Sequence, residues 1–161
     1  MDRPRASLAA ALTAAVAVVA VAGCGGGGSG APTKAEYGRN ADRLCTQLAQ
    51  QVNEAESGSP SSAAEIGAYA DRVARALSRG VQAIDNVRRP AGKDGANAKA
   101  YVEELRRQVD TEARPALRDL KAAAARGDKA GVQTAVQRLR SVDSSKLDRL
   151  ARAAGAEGCM T

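Results

Sequence analysis

Apolar residues beyond position 33 recur at intervals of three and four, the spacing of one helix face. Tyr37, Ala41, Leu44, Leu48, Val52 and Ala55 form the first such series. The Thr33-Lys34-Ala35-Glu36 stretch ahead of it is a capping box, in which Thr33 can serve the Glu36 amide and Glu36 can reach back. Residues 57–62, SGSPSS, interrupt the pattern. Ser62 and Glu65 then form a second capping box, followed by Ile66, Ala70, Val73, Leu77, Val81, Ile84 and Val87 at the same spacing. Arg89-Pro90 closes this second helix, and AGKDGAN reads as a loop. A third helix is expected from about Asn97, with Tyr101 or Val102, Leu105, Val109, Ala116 and Leu120 on its face. Pro115 falls inside it. Because the apolar phase continues across the proline, a kink is expected there rather than a break. Gly127-Asp128 is a turn with Asp128 as cap. Val132, Val136, Leu139, Val142, Leu147 and Leu150 define a single fourth helix ending near Gly155. No segment alternates with a period of two, so no strand is predicted. The expected fold is all-α, an antiparallel four-helix bundle spanning 33–161. Long coiled-coil hairpins that dimerise are the alternative.

Residues 1–32 follow a different pattern. Arg3 and Arg5 precede an almost wholly apolar run at 6–22, ASLAAALTAAVAVVAVA. A basic start followed by an apolar run is the build of a secretory signal peptide. The run is short and Ala-rich for a membrane span, and no basic cluster follows it. It ends on Val21-Ala22-Gly23-Cys24, which resembles the lipobox of bacterial lipoproteins: an aliphatic residue, two small residues and a cysteine. The resemblance implies that the Cys24 thiol is joined to diacylglycerol. It also implies cleavage between Gly23 and Cys24, which leaves Cys24 as the new N-terminus. Two acyl chains anchor stably where one is marginal. Residues 1–23 are then the signal peptide. Residues 24–32, CGGGGSGAP, are the lipidated cysteine and a flexible Gly-rich tether with a reach of about 15–20 Å. The expected location is extracytoplasmic, anchored to the cell membrane by lipid.

Composition sharpens the picture in two respects. Ala supplies 37 of the 161 residues, while Phe, Trp and His are absent, so the core must be built from small aliphatic residues and three Tyr. Such a composition suits closely packed helices. Charge is mixed, with 24 basic and 18 acidic residues, and loss of residues 1–23 lowers the net charge from +6 to +5. The acidic residues are interleaved throughout, which reads as a solvated surface. With few aromatics and an extracytoplasmic address, nucleic acid is not an expected partner.

Cys45 lies on the first helix and Cys159 beyond the last, in GAEGCM. In an up-down-up-down bundle the start of the first helix and the end of the fourth share one end, so the tail can carry Cys159 to Cys45. Exported proteins meet an oxidising environment, and a Cys45–Cys159 disulfide is the expectation; two free thiols are the alternative. The phrases KAEYGRNADRLC and GAEGCM resemble small exported helical proteins of bacterial envelopes, a group whose resemblance implies the fold and the disulfide but no activity.

Candidate chemistry is sparse. Without His, the commonest general base and metal ligand is missing. No phosphate loop, dinucleotide glycine pattern or zinc spacing occurs. Glu103, Glu104, Asp110 and Glu112 could serve a cation or acid–base work, but Arg106, Arg107 and Arg114 stand at ion-pairing intervals and make surface pairs the expectation. Arg88-Arg89 reads as a basic helix end, and Tyr37, Tyr69 and Tyr101 as boundary residues with wet hydroxyls. No catalytic residue, metal or cofactor is assigned. The expected function is a non-enzymatic interaction or envelope-structural module, whose partner is an envelope protein or wall polymer. The alternative is a small-ligand or lipid carrier with an apolar cavity in the bundle.

Overall fold

The structure is a computed structural model that describes residues 30–56 and 60–160. The described residues are helical, with no strand among them. In chain order the helices are α1 (Lys34–Glu56), α2 (Ala63–Asp85), α3 (Gly92–Gln108), α4 (Arg114–Ala125), α5 (Lys129–Arg140) and α6 (Ser145–Ala154). A π-helical turn, Val109–Ala113, joins α3 to α4, and a short 3-10 turn, Glu157–Cys159, follows α6.

Local chemistry explains three of the six helix starts. Glu36 N–H donates to Thr33 Oγ1 at 3.2 Å, and Thr33 N–H donates to the Glu36 carboxylate at 2.8 Å. The same reciprocal box opens α2, between Ser62 and Glu65. Asp128 caps α5 by accepting from Gly131 N–H at 2.8 Å. Each box satisfies amides that the first turn would otherwise leave unpaired.

Two expectations need correction. The third helix begins at Gly92, not near Asn97, so most of AGKDGAN is helical. Its two glycines serve different needs: a Cβ at Gly95 would stand 2.2 Å from the Pro90 carbonyl oxygen, and Gly92 takes a positive φ of 62°. The expected fourth helix is two, α5 and α6, separated by residues 141–144. There Asp143 accepts from Ser145 N–H at 2.9 Å, while its carbonyl accepts from the Gln108 side chain at 2.9 Å. A carbonyl and a carboxylate used in this way take the backbone out of the helical ladder. In the third arm, a π-helical turn stands just ahead of Pro115. Arg114 N–H bonds the Val109 carbonyl five residues back, and Pro115, which has no N–H to give, follows it at the start of α4.

Four helical arms pack against one another: α1, α2, the α3–α4 arm and the α5–α6 arm. α2 lies against α1 and α4, α4 against α5, and α3 against α6. Polar pairs mark the register. Along α2, Asp71 meets Lys121 at 2.7 Å, Ser78 meets Arg114 at 2.8 Å and Asp85 meets Arg106 at 2.6 Å, so one number rises as the other falls.

The core has two parts. At the end where α1 starts, Tyr37, Ala41, Ile84, Ala98, Tyr101, Val102, Leu147, Ala151, Ala154 and Ala156 form one buried cluster. At the other end, Ala55, Ala70, Val73, Leu117, Leu120 and Ala135 form a second. Buried Gln108 and Glu104 lie on the α3–α4 arm at the level that separates them.

Candidate functional site

Gly23 and Cys24, and with them the signal peptide and nearly all of the tether, lie outside the described residues. Cys45 and Cys159 are brought together, with sulfurs 2.00 Å apart and Cα atoms 5.2 Å apart. Several devices deliver the tail to α1. Gly155 ends α6 in the left-handed region at φ 82°, and Ala156 N–H turns back to the Ala151 carbonyl, the bond pattern of a glycine-terminated helix. The turn seats directly on α1, because Gly38 has no side chain: a Cβ there would stand 1.9 Å from the Gly155 carbonyl oxygen. Gly158 N–H then donates to the Asp42 carboxylate at 2.8 Å.

Beside the cysteines, the expectation for two of the tyrosines needs correction. Tyr37 and Tyr101 are not boundary residues; both are fully buried. The Tyr101 hydroxyl lies 3.6 Å from Cys45 Sγ, and burial raises its pKa well above the ordinary value. The Tyr37 hydroxyl is buried with no hydrogen-bond partner among the described residues. Tyr69 is half-buried. In a chain without Phe or Trp, tyrosine is the only ring available to fill the wide base of the core.

The carboxylates pair with cations, as their spacing predicts, with one change. Lys99–Glu103, Arg107–Glu112 and Arg114–Asp110 are exposed or half-buried pairs at 3.6, 3.2 and 2.8 Å. Glu104 is buried instead, and it takes Arg107 at 2.5 Å and Lys146 of α6 at 2.8 Å. Hydrogen bonds from Arg107, then from Lys146, hold its carboxyl down to about 2. Glu104 therefore ties α3 to α6 as a carboxylate. Arg89 pairs with Asp85, which also takes Arg106. Among the described residues, no group of three or more His, Cys, Asp or Glu is arranged to hold a metal ion.

Several clefts open on the surface between helices, including a small one of about 160 Å³ between α2 and α4 lined by Ala70, Asp71, Ala74, Arg114, Leu117 and Arg118. Of three others, one of about 330 Å³ lies where α2 faces the π-helical turn and is lined by Ser78, Gln82, Asp85, Arg106, Asp110 and Arg114, largely committed to one another. A second, about 270 Å³, separates α4 from α5, with Asp119 and Arg138 paired at 2.5 Å across it. The third, about 250 Å³, lies between α1 and α2. It is lined by Gln51, Glu54, Ala55, Arg72, Arg75, Ala76 and Arg79. Residues 72, 75 and 79 are readable in the sequence as one basic stripe; that the stripe borders a cleft depends on how α1 packs, which the sequence does not state.

No helix among the described residues is long and apolar enough to cross a membrane. Compared with protein-family models, characterised proteins and solved structures, the chain matches none.

Proposed function

We propose that the chain is a lipid-anchored extracytoplasmic protein whose helical body is a non-enzymatic interaction module, binding an envelope protein or wall polymer. In this reading the body is an antiparallel four-helix bundle, with its third arm bending at the π-helical turn ahead of Pro115. Residues 1–23 are a signal peptide, Cys24 carries diacylglycerol, and residues 24–32 tether the bundle near the bilayer. The observation that supports an interaction module best is the contrast between inside and outside. Tyr37, Tyr101, Ile84 and Val102 fill the base of the core. Two of the clefts, of about 250 and 330 Å³, open outward and are lined mainly by charged and amide side chains. Polar clefts of this kind suit a charged or hydrogen-bonding partner better than an apolar guest.

The test is the intact mass of the full chain, expressed with its leader in a bacterium and extracted in mild detergent. The reading expects a chain that begins at Cys24, carries a diacylglyceryl group and lacks two hydrogens relative to the Cys45/Cys159 dithiol. Cys24→Ala should release the chain from the membrane fraction. An unlipidated chain that starts elsewhere overturns the anchor. A retained apolar small molecule replaces the interaction module with the carrier alternative.

A further inference from the structure

We infer that the cleft between α1 and α2 binds a phosphate-bearing polymer through Arg72, Arg75 and Arg79; this rests on the interaction-module reading and names its partner class. The three arginines follow the three-and-four spacing that places side chains on one helix face. From Arg72 to Arg79 they cover about 10 Å of helix axis, a length that suits successive anions rather than one.

Like charges at this spacing repel and weaken a helix. Most of the carboxylates on the α3–α4 arm are taken up in ion pairs. In the cleft, by contrast, no carboxylate lies within ion-pair distance of Arg75 or Arg79 among the described residues. The nearest counter-charges are spoken for or outnumbered. Asp71, which faces Arg75 electrostatically, is held by Lys121. Glu54 on the α1 wall leaves the cleft a net charge of +2. Arg72 is fixed by donating to the Ala55 carbonyl at 3.3 Å, and Gln51 adds an amide to the same wall. Guanidinium groups match phosphate oxygens in a planar fork, so an anionic chain lying along α2 can pair with exposed charges that the protein itself leaves to solvent.

The geometry favours a polymer over lipid headgroups. The tether enters at the start of α1, and Gln51 lies about 25 Å further along that helix. A body hung from its α1 end can therefore hold the cleft beyond the headgroup layer.

The experiment measures binding of fluorescently labelled linear polyphosphate to the purified mature chain in neutral detergent, across a salt series. Three neutralised phosphates give a slope of log K against log salt of about −2. The variant Arg72→Gln/Arg75→Gln/Arg79→Gln should weaken binding by about tenfold or more and flatten that slope. A control with the same charge change, Arg118→Gln/Lys129→Gln/Arg140→Gln, should stay within about twofold. Arg75→Gln alone should give an intermediate loss, and circular dichroism should show every variant folded. Equal loss in the two triple variants, or no binding at all, overturns the proposal. So does arginine-dependent binding to phosphatidylglycerol vesicles without binding to polyphosphate, which would make lipid the occupant. The anchor has a separate readout. A missing lipid on Cys24 sinks the location and leaves the cleft, whereas failed polyphosphate binding sinks the cleft and leaves the anchor.

Discussion

The two ends of this molecule are built differently. At the end where α1 starts, α1 meets α2, α2 meets α3, α3 meets α6, and the tail returns onto α1. That ring is closed by the Cys45–Cys159 pair and filled by Tyr37, Tyr101 and Ile84. At the other end α5 packs chiefly on α4. Its apolar face, Val132, Val136 and Leu139, is only half-buried, as are Ile66, Tyr69 and Leu77 opposite. An Ala-rich chain can close a core tightly where it spends two of its three rings and its cysteine pair, and it closes less tightly where Leu, Val and Ala are joined only by the half-buried Ile66 and Tyr69. Burial sets local stability, so the ringed base should be the last part to open. The far half carries the arginine-lined cleft.

The largest effect should come from emptying the base. Tyr101→Ala should lower stability by about 3–5 kcal/mol, because a fully buried ring leaves a cavity. Leu139→Ala, on the half-buried face of α5, should lower it by only about 1–2 kcal/mol. Denaturant titration of both variants breaks the comparison if the two losses are equal. Next in size is the staple. Cys159→Ser should lose about 3 kcal/mol, since the closed loop spans most of the domain. In that variant the base should lose its advantage over α5 in hydrogen exchange. Third is a pair of glycines. Gly38→Ala drives a methyl into the Gly155 backbone and should cost about 2–3 kcal/mol. Gly80→Ala meets only the flexible tip of Leu48, at 2.7 Å, and gains helix propensity, so it should stay within about 1 kcal/mol of the parent. Thermal unfolding separates the two.

The smallest effect concerns the polar level between the two clusters. The Glu104 carboxyl is depressed from 4.5 to about 2 in the folded chain. A depressed carboxyl adds stability that is present above its unfolded pKa and lost as pH falls through the folded one. Melting temperature should therefore fall between pH 4.5 and about 2, and Glu104→Gln should flatten that fall. An unchanged pH profile in Glu104→Gln would assign the acid sensitivity to other groups.

Much of the frame was legible in the sequence. The capping boxes at Thr33/Glu36 and Ser62/Glu65, the cap at Asp128, the apolar faces and the meeting of Cys45 with Cys159 all follow from local rules and topology. What escaped depends on tertiary partners. Gly92 and Gly95 look like loop residues until the positive φ of Gly92 and the Pro90 carbonyl against Gly95 are seen. The step of five from Val142 to Leu147 is the one mark of the split in the sequence, and the Gln108 bond to the Asp143 carbonyl shows what holds it. The π-helical turn leaves no mark that spacing alone can read. Glu104 reads as a surface partner for Arg107 until Lys146 arrives from α6. The basic stripe at Arg72, Arg75 and Arg79 was visible, but not the cleft beside it.

Native-state hydrogen exchange on the oxidised chain tests the contrast between the two ends most directly. The account predicts that amides of α5 exchange first, while those of α3 and α6 exchange only through near-global opening. Equal protection of α5 and α6, or release of the 155–160 tail before α5, would contradict it.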